Sequence, residues 1–144
     1  MNPSSYPVTG LTLDAETAAD MMTPNPLSIR GDATISEVIA LLVDKGFGAA
    51  PVIDHAGRPI GVVSRSDILA HEHEARTQAV PLIADPTRAR DIMTPIVFSV
   101  APDMPGPRVI QEMAALKVHR VFVVDASGNL VGVITALDVL SRLR

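Results

Sequence analysis

The chain contains a copy of itself. Asp20-Met21-Met22-Thr23-Pro24 returns as Asp91-Ile92-Met93-Thr94-Pro95, 71 residues later (91 − 20). The same offset relates Asp54 to Asp125, Gly57 to Gly128, Gly61 to Gly132 and Asp67 to Asp138. Between positions 20 and 70, fifteen residues are identical to their partners at this spacing, where chance at roughly 7% usage per residue type gives about three or four. No insertion breaks the alignment, so one half constrains the other: any element assigned to the first must also be formed by the second.

Both halves give the same element order. Leu27-Ser28-Ile29 and Val97-Phe98-Ser99-Val100 read as short apolar strands. Thr34 and Glu37 have capping-box spacing ahead of Ile35, Val38, Ile39, Leu42 and Val43, an apolar face of helical period that stops at Lys45-Gly46. In the second half, 103–107 delays the helix carrying Val109, Ile110, Met113 and Leu116, and Pro107 suits its first turn. Pro51-Val52-Ile53 and Ile60–Val63 flank a 54–58 turn, and Val121–Val124 and Leu130–Ile134 flank 125–129, as in β-hairpins. Helices over about 65–78 and 136–143 follow.

The boundaries are therefore an N-terminal loop or short helix (1–17), a first repeat (18–79), a linker (80–86) and a second repeat (87–144). The N-terminal stretch, with Pro3, Pro7 and Gly10, is either disordered or reaches across to a dimer mate. A strand-helix-hairpin-helix unit of about 50 residues is too small to bury both faces of its sheet. The expectation is a mixed α/β fold in which two repeats pack about a pseudo-two-fold axis, leaving two clefts where they meet.

Composition narrows the function. The 144 residues, 47% hydrophobic and 19% charged, suit a globular chain. Without cysteine there are no disulfides, thiol nucleophiles or thiolate metal sites. No apolar run spans a bilayer and the N-terminus lacks signal-peptide character, so a cytoplasmic protein without a membrane partner is expected. A net charge of −4, two lysines and 3% aromatic residues disfavour single-stranded nucleic acid, which needs neutralised phosphates and stacking platforms. No nucleophile elbow, Walker loop or zinc-protease helix occurs, so no catalytic residue and no enzyme is expected.

These residues resemble the cystathionine β-synthase (CBS) domain family, whose tandem pair is called a Bateman module. The marks are the twice-used D-x-M-T-P opening, the Pro51–Asp67 core P-V-I-D-x-x-G-x-x-I-G-V-V-S-x-S-D, and the Val121–Asp138 core V-F-V-V-D-x-x-G-x-L-V-G-V-I-T-x-x-D, together covering about 18–143. The resemblance implies a homodimer of modules and no catalysis. It also implies a regulatory role: sensing an adenosine-containing ligand such as AMP, ADP, ATP or S-adenosylmethionine, with no obligatory cofactor. A ligand-free dimerisation or interaction module is the alternative, and any target protein would act in trans.

Ser64-Arg65-Ser66-Asp67 and Thr135-Ala136-Leu137-Asp138 fall where a strand ends and a helix begins, a place that favours anions. The hydroxyl can bind phosphate or ribose, and the carboxylate can accept from a ribose diol. The same four residues also form a capping box that merely satisfies a helix N-terminus, and the two roles can coexist. By resemblance, one site joins Thr135 and Asp138 to Arg30-Gly31 and to Ala49, Ala50 and Pro51 for the adenine, with phosphate toward His119 and Arg120. Arg120 read alone is as readily a solvated edge-strand charge or a dimer ion pair as a phosphate contact. The reciprocal site joins Ser64, Arg65 and Asp67 to Val100, Ala101, Val121 and Phe122. Gly48 and Ala49 replace His119 and Arg120 there, and Phe122 replaces Pro51, so its ring would narrow the adenine pocket or stack on the base. The Asp138 site is thus the better phosphate-bearing candidate. His71 and His73 lie two apart on a helix and diverge, so a polar helix surface is preferred to a metal site. His55 reads as a solvated turn residue, and Met21, Met22, Met93 and Met113 as apolar fill.

Overall fold

Alternating apolar residues on either side of a Gly-containing turn make a hairpin in each half. In the computed structural model, which describes residues 11–77 and 85–144, β3 (Ala49–Ile53) pairs antiparallel with β4 (Pro59–Ser64), and β6 (Arg120–Val124) with β7 (Leu130–Thr135). Each hairpin has a register shift at its turn end, between Val52 and Ile53 and between Val123 and Val124. A two-residue strand adds in parallel to each: β2 (Ile29–Arg30) to β3, and β5 (Ser99–Val100) to β6.

The helices keep the expected order. Thr34 caps α2 (Ile35–Asp44) with both capping-box bonds formed. α5 (Gly106–Leu116) starts with Pro107 in its first turn. α3 (Arg65–Thr77) and α6 (Ala136–Leu140) leave the ends of β4 and β7 directly. α6 stops short of the expected 143, because Thr12–Asp14 pairs with Arg142–Arg144: Thr12 N–H donates to Arg144 O and Arg144 N–H to Thr12 O. This ties down the end of the expected N-terminal loop. Residues 1–10, Gln78 and 80–84 of the expected linker lie outside the described residues.

The D-x-M-T-P openings are more than turns. Each forms a one-turn helix, α1 (Ala18–Met21) or α4 (Ala89–Ile92), and then an extended segment. The first segment, β1 (Thr23–Pro24), pairs with β7 of the second repeat; Thr94 exchanges backbone bonds of 2.8 and 2.9 Å with Val62 of the first. The chain accordingly forms two compact units that do not coincide with the contiguous repeats. One comprises the described parts of Leu27–Val97, the other those of Met1–Pro26 with Phe98–Arg144.

Each unit buries its own apolar core. Val38 and Leu42 of α2 close over Ala50, Val52 and Val63 with Ala89 of α4. Val109 and Met113 of α5 close over Val121, Val123 and Ile134 with Ala18 and Met21 of α1. Burial of each such Val, Leu, Ile or Met side chain contributes about 1.5–3 kcal/mol. The openings must approach closely: a Cβ on Gly61 would lie 2.6 Å from Thr94 O, and one on Gly132 would overlap the Met22 thioether. The methionines are apolar packing, as expected.

Candidate functional site

The two strand-to-helix corners are built alike. In the Leu27–Val97 unit, Asp67 Oδ2 accepts from Ser64 N–H (2.8 Å) and the Ser64 hydroxyl (2.9 Å). In the other unit, Asp138 Oδ2 accepts from Thr135 N–H (2.8 Å) and the Thr135 hydroxyl (3.0 Å), while Asp138 N–H donates to Thr135 Oγ1 (3.2 Å). The capping box is therefore formed at both corners. It uses one oxygen of each carboxylate; Oδ1 of Asp67 and of Asp138 accepts no hydrogen bond among the described residues. Both aspartates are partly exposed, so that second oxygen remains available.

Strand register gathers further groups. Arg120 lies opposite Thr135, and His119 O accepts from Ala136 N–H at 2.8 Å, which brings His119, Arg120, Thr135 and Asp138 to one corner. Both His119 and Arg120 are exposed, and among the described residues no carboxylate lies within ion-pair distance of Arg120. The corner thus offers hydroxyl, carboxylate, imidazole and guanidinium groups together. At the equivalent corner Ala49 lies opposite Ser64 and Gly48 O accepts from Arg65 N–H at 3.0 Å. The Arg65 guanidinium is turned back, its Nε–H donating to Phe47 O at 2.9 Å.

Other expected site residues are placed differently. Ala50, Val121 and Val100 belong to the cores and could offer only backbone. Phe122 lies on the opposite sheet face from Val121 and Val123 and is only 2% exposed, so no ring face is free to stack on a base. Pro51 is also buried, on the same face as Ala49. Arg30 and Gly31 do not adjoin Ala49 and Pro51 as one wall. Parallel pairing sets Arg30 beside Ile53, four residues and roughly 13 Å along the strand from Ala49. Ala101, expected beside Val121 and Phe122, lies just past β5, whose Val100 pairs with Val123, toward the turn end of its sheet. Arg30 ends β2, and the parallel register fixes it at the turn end rather than at the corner.

At that turn end, Arg30, Gly31, Asp32, Ile53, Asp54, His55, Ile60 and Arg90 line a pocket of about 140 Å³. His55 is not simply a solvated turn residue: its Nδ1 accepts from the Arg30 guanidinium. The sequence reading passed over Arg90, whose signal was the repeat itself, since the same position in the other half is Ala19. His71 Nε2–H donates to Asp85 at 2.6 Å while His73 is exposed, and no acid or histidine cluster among the described residues could hold a metal ion. No helix among them is long and apolar enough to cross a membrane.

Comparison with known proteins adds a family match, the CBS domain, over residues 18–74 and 89–144. The crystal structure of CBSX2 in complex with AMP is similar at a TM-score of 0.71 and 29% identity, over 88% of this chain and 95% of that one. The cytosolic domain of the Mg2+ channel MgtE in complex with ATP gives a TM-score of 0.70 and 31% identity, over 90% and 49% of the two chains. Subunit gamma-3 of the 5′-AMP-activated protein kinase of Bos taurus is 30% identical over 77% of this chain. The chain spans between 22% and 27% of the length of the first three curated relatives it matches.

Proposed function

Because the chain belongs to the CBS domain family, as a tandem pair of mixed α/β repeats, we propose that it is a regulatory module that binds an adenosine-containing ligand and signals to a partner protein. AMP, ADP, ATP and S-adenosylmethionine are the candidate ligands. The observation that carries this reading is the half-used carboxylate of Asp138 beside Thr135, His119 and Arg120. Oδ2 fixes the side chain on the helix N-terminus, so Oδ1 is pre-oriented as an acceptor for a ribose hydroxyl. The adjacent imidazole and guanidinium suit phosphate, the guanidinium through bidentate donation. The Asp67 corner has the same ribose acceptor, but its arginine is engaged with Phe47 O, so it is the weaker phosphate site.

The module acts by binding, with no catalytic residue, and as a homodimer. Leu69, Leu137 and Leu140, on α3 and α6, are 70%, 73% and 61% exposed, which favours association through these helices. They also support the second reading, an interaction module that works without ligand. A ligand transmits a signal only through different affinities for two forms of the protein.

Thermal unfolding with AMP, ADP, ATP and S-adenosylmethionine, on wild type, Asp138→Ala and Asp67→Ala, tests the proposal. A stabilisation lost in Asp138→Ala supports it. No stabilisation by any of the four, in protein shown by mass spectrometry to be nucleotide-free, overturns it in favour of the interaction module.

A further inference from the structure

The internal duplication supplies a control for the turn-end pocket, because each unit has one in the same place. In the second-repeat unit Ala101, Pro102, Asp103, Val124, Asp125 and Ala126 are among its lining residues; at the offset of 71 they correspond to Arg30, Gly31, Asp32, Ile53, Asp54 and His55. The aspartates are common to both halves and the fold accounts for one pair. Asp54 Oδ1 accepts from Ala56 N–H and Arg58 N–H, and Asp125 Oδ1 from Ser127 N–H and Asn129 N–H, locking the two turns. The donors differ. Arg30, His55 and Arg90 come from three separate segments to one pocket, and their counterparts Ala101, Ala126 and Ala19 carry no polar side chain. Nothing in the shared fold requires these three residues.

We propose that this first-repeat pocket binds a phosphate-sized oxyanion. The Arg30 guanidinium donates to His55 Nδ1, which leaves the imidazole proton on Nε2 and makes the ring a donor. Among the described residues neither Arg30 nor Arg90 has a carboxylate within ion-pair distance. Two guanidinium groups and an imidazole N–H thus border one cavity with neither arginine ion-paired, although Asp32 and Asp54 also line it. Turn amides hold Asp54 through Oδ1, so the carboxylates of Asp32 and Asp54 are the charges that an anion held by the two guanidinium groups must face. Gly31 lets the segments close: a Cβ there would lie 3.2 Å from Ile60 Cδ1 and 3.5 Å from Arg90 Cβ. The volume selects the ligand. About 140 Å³ is well below the 300–1,000 Å³ of pockets that enclose drug-sized molecules, a size that suits a phosphoryl group. The site lies at the other end of the sheet from the Ala49–Ser64 corner and does not rest on the adenosine reading.

Calorimetric titration of the full chain with inorganic phosphate and with glycerol 3-phosphate, in phosphate-free buffer, tests it. We expect one saturable site in wild type and in Asp138→Ala. Affinity falls about tenfold or more in Arg30→Ala and in Arg90→Ala, as loss of a charge-assisted bond requires, and Arg90→Lys recovers part of it. Binding of phosphate alone identifies the free anion, and equal or tighter binding of glycerol 3-phosphate a phosphoryl terminus. The proposal is overturned by the absence of saturable binding in folded wild type, by unchanged affinity in the Arg30→Ala/Arg90→Ala variant, or by loss of phosphate binding in Asp138→Ala alone.

Discussion

Asp138→Asn separates the two roles of one side chain. The amide oxygen can still accept from Thr135 N–H in place of Oδ2, so the cap survives and the unliganded chain loses mainly a charge–dipole interaction of about 0.3–1 kcal/mol. For a chain of this size that lowers the midpoint by roughly 1–4 °C. The other oxygen becomes an NH2 donor and cannot accept from ribose. Loss of a hydrogen bond to a charged group is about 1.5–3 kcal/mol, a tenfold to hundredfold fall in affinity. At nucleotide 100 times the wild-type dissociation constant, stabilisation of about 2.7 kcal/mol falls to about 1.4 for a tenfold loss and about 0.4 for a hundredfold loss. Scanning fluorimetry, with the nucleotide that stabilises wild type most, reads this as a shift of about 10 °C shrinking to about 5 °C or 2 °C. A nucleotide-induced shift in Asp138→Asn as large as in wild type would refute ribose recognition by this carboxylate.

Three further outcomes follow from packing and charge. Gly61→Ala drives a methyl to 2.6 Å from Thr94 O and 2.7 Å from Met93 Sδ; because a backbone carbonyl yields little, denaturant unfolding should show about 1–3 kcal/mol lost, and an unaltered midpoint would mean the 94–62 pairing is loose. Gly46 and Lys117 end α2 and α5 at equivalent positions with φ of 68° and 56°, so Lys117→Gly removes left-handed strain and should stabilise by about 1 kcal/mol; a loss would show that the lysine side chain matters more than its backbone. The Asp85 carboxyl is held at about 2, below its ordinary 3.8, first by the hydrogen bond from His71 and then by Thr87. Its stabilisation is thus full above about pH 3.8 and lost as pH falls through about 2. In His71→Ala, carbon-detected NMR should show the Asp85 carboxyl moving up toward 3.8; an unmoved titration would assign the effect to Thr87.

The site was legible in part for the same local reasons that made it ambiguous. Spacing placed Ser64–Asp67 and Thr135–Asp138 at strand-to-helix corners, but a cap and a ribose acceptor require the same atoms. Only the folded structure shows that, among the described residues, Oδ2 is used and Oδ1 is not. The resemblance puts Arg30 with Ala49 and Pro51, and apolarity alone cannot set register: pairing runs through Ile29 and Arg30 and carries the arginine to His55. Phe122 looked available because alternation predicts which face a residue occupies, not whether that face is covered.

By itself, the sequence determined the duplication, the order of hairpins and helices, the capping boxes and the family, since these depend on composition and on contacts between residues close in the chain. Tertiary structure alone decided which half each D-x-M-T-P opening completes. The two openings share Asp, Met, Thr and Pro at identical positions, so local preference is equal for either partner. The choice rests on long-range contacts, Pro24 with Gly132 and Thr94 with Val62. Such pairing between distant segments leaves no periodic trace in the sequence.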